Sequence, residues 1–207
     1  MSGIDDFRSQ LDVSRETLER LTELEALLRK WNAAINLVSP QTLSQVWTRH
    51  FLDSAQLFDL ADPMPTLWGD LGSGGGFPGL VIGILARERW PEMQLVLVES
   101  DKRKCAFLLA AIRALDLRAS IRAERIEATA PLGAKVLSAR ALAALPQLLD
   151  FAERHLAEDG VALFPKGNRW REEVALAQQS WSFTVETHPS KTEADAVILK
   201  IRGVQRV

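Results

Sequence analysis

Five glycines fall within the eight residues Gly72–Gly79, and this cluster limits the possible fold more than any other feature of the chain. Leu67 and Trp68 before it are typical of the end of a buried strand, and the apolar run from Leu80 predicts a buried helix. Pro78 stands where the first turn of a helix tolerates proline. Glycine permits positive φ in a tight turn and lets a ligand approach bare backbone. The segment therefore predicts the strand, turn and helix that open a nucleotide-binding βαβ unit.

Acidic residues beside this loop bear on which ligand it binds. Gly74–Gly79 satisfies the dinucleotide pattern G-x-G-x-x-G, so an NAD-dependent oxidoreductase stays open on pattern alone. Asp70 is expected at the mouth of the loop, where a carboxylate repels a pyrophosphate and suits the ammonium of a bound amino acid. A second predicted strand ends in Glu99, an acceptor for ribose hydroxyls in either class of ligand. An acid-x-Gly-x-Gly loop followed by such an acid resembles the S-adenosylmethionine site of Rossmann-like methyltransferases.

The composition is that of an ordinary globular chain. Hydrophobic residues make up 47% of the 207 residues, enough for one sizeable core with a small appended unit. The net charge of −2 means that a nucleic acid would have to meet a local basic patch. No signal peptide or membrane-length apolar stretch is visible, and the single cysteine, Cys105, fits a reducing compartment. The three histidines lack metal-ligand spacing, so we expect a cytoplasmic protein without metal or membrane partner.

The first part of the chain has the pattern of helices. Apolar residues at steps of three and four over Leu18–Ile35 predict an amphipathic helix, with Ser14 as its N-cap. Ser39-Pro40 predicts the start of another helix, and the chain has a helical pattern up to about Ala61. The prolines of Asp62–Pro65 interrupt this pattern and mark a junction.

After the glycine loop, predicted strands and helices alternate, which indicates an α/β fold with a seven-stranded, mostly parallel sheet. Strands are expected at 67–70, 95–99, 119–122, 135–139, 160–165, 181–187 and 196–201. Helices are expected at 79–89, 101–115, 145–157 and 169–179. The last two strands would form an antiparallel hairpin. We therefore expect a helical N-terminal extension over residues 1–61 and a Rossmann-like domain over residues 66–207.

Basic residues follow several of the predicted strands and helices. Arg140 ends a strand at the sheet edge where ligands of open α/β folds bind, although a solvated strand-end arginine is an equal alternative. Lys166 and Arg169 could neutralise phosphates, whereas charges at a helix start are often simply solvated. Arg49 and His50 lie near the end of the second predicted helix, where a lone histidine is more often structural than catalytic. The chain has no G-x-S-x-G elbow for covalent hydrolysis.

In their order along the chain, these segments resemble the bacterial small-subunit rRNA methyltransferase G family, also called glucose-inhibited division protein B. The matching segments are Trp31–Leu37, Arg49–Ser54, Asp70–Gly79, Glu99–Ser100, Arg103–Lys104, Phe107–Leu108, Arg122–Glu124, Ser138–Ala141 and Pro165–Gly167. The resemblance implies a Rossmann-like methyltransferase fold with a small helical N-terminal addition. It also implies methyl transfer from S-adenosylmethionine to N7 of one guanine in 16S rRNA, in a loop near the decoding centre.

The resemblance and the residue patterns together give a set of expected site residues. Cofactor binding is expected at Asp70, Gly72, Gly74, Phe77, Glu99, Ala123, Glu124 and Arg140. RNA binding is expected at Arg49, His50, Lys166 and Arg169. Guanine N7 carries a lone pair and no proton, so Arg140, Lys166 and His50 are expected to position the RNA rather than act as bases.

The expected partner is 16S rRNA or the small ribosomal subunit, bound by a monomer. Two alternatives share the cofactor site: a methyltransferase acting on a protein or small molecule, and a non-catalytic cofactor-binding protein. An NAD-dependent oxidoreductase is a third, and it would have to account for Asp70.

Overall fold

A computed structural model describes residues 3–61 and 64–207 of the chain. Its strands form a single seven-stranded sheet in the order β3-β2-β1-β4-β5-β7-β6. The strands are β1 Leu67–Leu71, β2 Gln94–Val98, β3 Ala119–Arg122, β4 Ala134–Ala139, β5 Leu156–Lys166, β6 Trp181–Pro189 and β7 Val197–Arg206. In the described sheet β7 runs in the direction opposite to the other six strands, and it lies between β5 and β6. The predicted mostly parallel sheet and the terminal antiparallel hairpin are both confirmed.

Helices cover both faces of the sheet. The helices are α1 Gly3–Gln10, α2 Arg15–Asn32, α3 Pro40–Leu43, α4 Asp53–Leu60, α5 Gly79–Arg89, α6 Lys102–Ala114, α7 Leu145–His155 and α8 Trp170–Ala177. The Ser14 hydroxyl accepts from the Thr17 N–H at 3.2 Å, which confirms the predicted N-cap of α2. Asp101 caps α6 by accepting from the Arg103 N–H at 2.8 Å.

The helix predicted after Ser39 is shorter than expected. Ser39 and Pro40 do begin a helix, but α3 ends at Leu43, and a π-helical segment follows over Trp47–Leu52 before α4. The Ser44 hydroxyl donates to the Gln41 carbonyl at 2.9 Å, a side-chain bond of the kind that competes with continued helix. Single π-helical turns are often found at functional sites, and this one carries two of the expected RNA-binding residues.

Two hydrophobic clusters lie on opposite faces of the sheet, as the alternation along β2 shows. Leu95 and Leu97 join the cluster that contains α2, α5 and α6, whereas Val96 and Val98 join the cluster that contains α7. Buried residues of α2, such as Leu24, therefore share a core with the sheet.

The expected domain boundary at residues 62–65 stays a prediction, and Asp62 and Pro63 lie outside the described residues. No helix within 3–61 and 64–207 has both the length and the apolar character needed to cross a bilayer.

Candidate active site

The carboxyl ends of β1 and β2 form the base of the site. The chain leaves β1 through Gly72 and Gly74, whose φ values of +63° and +54° are ones that glycine adopts at little cost. The Gly74 N–H donates to Glu99 Oε2 at 2.9 Å, and Glu99 Oε1 accepts from the Asp101 N–H at 2.8 Å. Glu99 therefore ties the glycine loop to the start of α6.

The position expected for the Asp70 carboxylate is wrong, because this group lies beneath the glycine loop and not at its mouth. It is fully buried: Oδ1 accepts from the Ser138 hydroxyl at 2.8 Å and Oδ2 from the Gly79 N–H at 3.2 Å. Ser138 in turn accepts from Trp68 Nε1 at 2.9 Å. Burial raises the pKa of Asp70 to about 6, against the opposing effect of these hydrogen bonds and of the Arg140 charge. Asp70 thus holds the loop against α5 from inside.

Two cavities open along this edge of the sheet and share a boundary. The smaller cavity, of about 430 Å³, is lined by Glu99, Ser100 and Glu124 among others. The larger cavity, of about 610 Å³, is lined by residues of the N-terminal part, the glycine loop and the β6–β7 loop. Their shared boundary consists of Gly72, Gly74, Lys104, Ala141, Leu142 and Ala143. Both volumes fall within the range of small-molecule sites, so two ligands could meet at this boundary.

The residues expected to bind the cofactor divide between these cavities. Gly72, Gly74, Glu99 and Glu124 line the smaller cavity. Phe77 and Arg140 line the larger one, and exposed Ala123 lines neither, although it directly precedes Glu124. The smaller cavity therefore has the features of a nucleoside site: open glycine backbone on one side and two carboxylates that follow adjacent parallel strands.

A stack of three side chains joins the N-terminal part of the chain to the end of β4. The His50 ring stacks on Phe77 with centroids 4.7 Å apart, and the Arg140 guanidinium lies 5.3 Å from the Phe77 centroid. Arg140 donates to His50 Nδ1 at 2.8 Å and to the Arg49 carbonyl at 3.0 Å, and pairs with Asp53 at 3.0 Å. Of the two alternatives for Arg140, the structure therefore supports the residue that faces the site.

The same contacts determine the protonation state of His50. A guanidinium can only donate, so Nδ1 accepts from Arg140 and the ring proton resides on Nε2. Burial, together with the charges of Arg140 and Arg49, lowers the pKa of His50 to about 3. His50 is therefore neutral at physiological pH, and its basic nitrogen is engaged.

The two basic residues expected to bind phosphate have different surroundings. The Lys166 side chain is 8% exposed, and its ammonium pairs with Glu173 at 2.6 Å and donates to the Ala143 carbonyl at 2.9 Å. The prediction that Lys166 contacts phosphate is therefore not supported: its ammonium anchors the loop after β4. Arg169 is 78% exposed, pairs with Glu172 at 2.9 Å and lines neither cavity.

Several residues of the larger cavity were not singled out by the sequence. Asp53 belongs to the Arg49–Ser54 motif, but no role was assigned to it. Its Oδ1, the carboxylate oxygen that does not pair with Arg140, accepts from the Thr192 hydroxyl at 2.9 Å. This contact ties the β6–β7 loop to the start of α4. Thr192 lies in a loop with no recognisable motif, so no local signal could have found it. Among residues 3–61 and 64–207, no group of three or more His, Cys, Asp or Glu side chains is placed to hold a metal ion.

Comparison with known proteins decides the family. The model of the family described as rRNA small subunit methyltransferase G matches residues 17–199. The chain belongs to the rRNA small subunit methyltransferase G family. Several relatives carry the name Ribosomal RNA small subunit methyltransferase G. One, from Ruegeria sp. (strain TM1040), is 53% identical to this chain over 198 residues, which cover 96% of each chain. Another, from Cereibacter sphaeroides, is 54% identical over 199 residues, which cover 96% of this chain and 97% of that one.

Solved structures support the fold of this rRNA small subunit methyltransferase G family member. A TehB-like SAM-dependent methyltransferase from Corynebacterium glutamicum superposes with a TM-score of 0.57 at 12% identity, covering 87% of this chain and 98% of that one. M. jannaschii TYW2, solved in complex with AdoMet, gives a TM-score of 0.58 at 12% identity, covering 84% of this chain and 80% of that one. The family is one of S-adenosylmethionine-dependent methyltransferases, and the Rossmann-like fold predicted from the sequence is confirmed.

Proposed function

We propose that this protein transfers a methyl group from S-adenosylmethionine to N7 of a specific guanine in 16S rRNA, in a loop of the decoding region. The observation that carries the proposal is the pair of cavities meeting at Gly72, Gly74 and Ala141. One cavity has the features of a nucleoside cofactor site, and the other is large enough to admit a base. Family membership supplies the class of substrate, because the relatives are named as small-subunit rRNA methyltransferases.

The smaller cavity fits the cofactor in its chemistry. Glu99 and Glu124 present carboxylate oxygens along its wall, which suit ribose hydroxyls and the amino edge of an adenine. Each Glu99 oxygen accepts one backbone N–H and retains a second lone pair. A side chain at Gly72 would meet Leu142 Cδ1 at 2.6 Å, so the bare backbone there keeps the boundary between the cavities open.

The acceptor atom explains why the site needs no general base. When bound, S-adenosylmethionine supplies a sulfonium methyl group, which the in-plane lone pair of guanine N7 can accept without losing a proton. No residue has to remove a proton, which agrees with the neutral, engaged state of His50. His50 and Asp53 instead hold Arg140 in place, and Phe77 and Arg140 give the larger cavity an aromatic and cationic wall for an unstacked base.

The RNA substrate sets the remaining parts of the proposal. An acceptor guanine must leave its stack to reach the larger cavity, which favours a loop nucleotide over a paired one. Arg49 lines this cavity, and exposed Arg169 lies outside it, so both remain candidates for RNA contacts. We expect the protein to act as a monomer in the cytoplasm, on 16S rRNA or on the small ribosomal subunit.

The test is a single-turnover methylation assay with labelled S-adenosylmethionine on naked 16S rRNA, partly assembled subunits and mature small subunits. Borohydride reduction and aniline cleavage would then map N7-methylguanine to one nucleotide. Label in a protein, in a small molecule or at another position of the base would refute the proposed acceptor. Stabilisation of the protein by NAD and not by S-adenosylhomocysteine would refute the proposed cofactor.

A further inference from the structure

Three carboxylates line the larger cavity, and two of them are held in short ion pairs. Asp53 pairs with Arg140 at 3.0 Å, and Glu173 pairs with Lys166 at 2.6 Å. Glu193 differs from both, because its side chain is 55% exposed and its ion pair with Arg49 is longer, at 3.5 Å. Of the carboxylates on this wall, Glu193 is therefore the most exposed and the least tightly paired, which suits it to accept from a ligand.

Glu193 is presented by a loop that the structure holds in place. The loop joins β6 to β7, and the Thr192 hydroxyl donates to Asp53 at 2.9 Å. The neighbouring Lys191 N–H donates to Gln56 Oε1, also at 2.9 Å. These two bonds attach the loop to α4, so Glu193 and Arg49 lie side by side on supported backbone. Supported side chains of this kind are what recognition of a base edge requires.

The Arg49–Glu193 pair is complementary to one edge of guanine. That edge presents the O6 acceptor next to the N1–H and N2–H donors, and the pair offers guanidinium donors next to carboxylate acceptors. Adenine presents the reverse order on this edge, an amino donor next to the N1 acceptor. The same pair would therefore set donor against donor and acceptor against acceptor, which favours guanine over adenine.

The position of the pair agrees with methylation at N7. In guanine, N7 lies on the Hoogsteen edge and N1 and N2 lie on the adjoining Watson–Crick edge, with O6 between them. Arg49 and Glu193 line the larger cavity but not the smaller one, so neither belongs to the boundary where the cavities meet. A base with N7 at that boundary turns its N1 and N2 edge toward the rest of the larger cavity.

We propose that Arg49 and Glu193 together select the acceptor base, with Arg49 donating to guanine O6 and Glu193 accepting from N1–H and N2–H. This inference rests on the proposed function, since it identifies how that site distinguishes guanine from the other bases. Arg49 thereby gains a defined partner on the base in place of a general contact with RNA.

The first test asks whether removal of the negative charge of Glu193 raises or lowers the rate of methylation. Glu193→Gln keeps the size of the side chain and removes its negative charge, and Glu186→Gln is the matched control. Glu186 lies on the same hairpin, is 66% exposed, contacts His188 at 3.7 Å and lines neither cavity. Removal of a solvated negative charge leaves methylation of a polyanion unchanged or increases it. We expect Glu193→Gln to lower kcat/KM on 16S rRNA by about tenfold while Glu186→Gln does not lower it.

The second test replaces the mapped target guanine with inosine, which keeps N7, O6 and N1–H but lacks the N2 amino group. We expect the parent to prefer guanine by about tenfold in kcat/KM, and Glu193→Gln to lose most of that preference. Affinity for S-adenosylhomocysteine should be the same in both proteins, which shows that the cofactor site and the fold are intact. Equal use of guanine and inosine by the parent, or an undiminished preference in Glu193→Gln, would overturn the inference and leave the proposed function standing. A parent that methylates no guanine in 16S rRNA would refute the proposed function itself.

Discussion

Two buried serines with opposite hydrogen-bonding states allow a quantitative test of the support beneath the glycine loop. Ser138 and Ser54 are both fully buried, at 0% exposure. Ser138 accepts from Trp68 Nε1 at 2.9 Å and donates to Asp70 Oδ1 at 2.8 Å, whereas the Ser54 hydroxyl has no hydrogen-bond partner among the described residues. Replacement of each serine by alanine removes the same atom from surroundings of equal burial.

The expected cost of Ser138→Ala follows from these contacts. The buried Trp68 N–H loses its acceptor, which costs about 1 to 3 kcal/mol, and a hydrogen bond to a carboxylate contributes about 1.5 to 3 kcal/mol. Asp70 keeps its bond from the Gly79 N–H at 3.2 Å, so we expect a total loss near the lower end of the summed range, about 3 kcal/mol. Ser54→Ala should change the free energy of unfolding by less than about 0.5 kcal/mol, because no bond is lost.

Urea unfolding at pH 7.5, followed by tryptophan fluorescence, measures both values, and an unchanged m-value would show that the same transition is compared. Burial raises the pKa of Asp70 to about 6, above the value of the unfolded chain, so the folded state binds the extra proton. The contribution of Asp70 to stability is therefore greatest below about pH 4 and declines as the pH rises through about 6. Loss of the Ser138 bond raises this pKa further, so the cost of Ser138→Ala should be smaller at pH 5 than at pH 7.5. Equal costs for the two serines, or a larger cost at pH 5, would refute the reasoning.

Three further predictions concern the cavities. Gly72→Val should weaken S-adenosylhomocysteine binding at least tenfold, as measured by calorimetry. Gly133 is the control, because it has the same φ of +63° and a Cβ added there would meet nothing within 4 Å, so Gly133→Val should leave the affinity unchanged. Equal affinity in the two variants would count against Gly72 as part of the boundary between the cavities. His50→Gln should slow single-turnover methylation without changing the shape of the pH–rate profile from pH 6 to 8.5. A rate that rises tenfold per pH unit in the parent, and no longer does so in His50→Gln, would reveal a general base. Lys166→Met should lower the free energy of unfolding in urea by about 3 kcal/mol, because it breaks a largely buried ion pair. Arg169→Ala, which breaks an exposed ion pair, should lower it by less than about 0.5 kcal/mol. Similar values for the two variants would mean that Lys166 is not an anchor.

The strand and helix pattern could be predicted from the sequence because local signals agree with the fold. Ser14 before an apolar stripe gave the start of α2, and the strands buried on both faces stand out as apolar runs such as Leu95–Val98. The break after Leu43 was missed, since apolar residues continue at helical spacing into the π-helical segment. Its position depends on tertiary packing, with Trp47 against Phe7 of α1 at 5.6 Å.

The site was predicted less completely than the fold, for a physical reason. A sequence motif places a backbone atom near an edge of the sheet, but the direction of the side chain depends on partners that are distant in the sequence. Asp70 turns inward because Ser138 and Gly79 satisfy its carboxylate. Lys166 is anchored because the loop after β4 supplies the Ala143 carbonyl. Such contacts between distant segments leave no local pattern.

The attachment of the β6–β7 loop to Asp53 affects the order in which the residues of the two cavities become available during translation. The smaller cavity is lined by residues between Gly72 and Phe151, all of which are translated before β6 and β7. The larger cavity also needs Thr192 and Glu193, which lie in the loop between β6 and β7. A nascent chain therefore holds every residue of the cofactor half before it holds the β6–β7 loop. The acceptor half closes only when the loop between β6 and β7 folds back onto the start of α4, so the two halves of the site depend on different stretches of the chain.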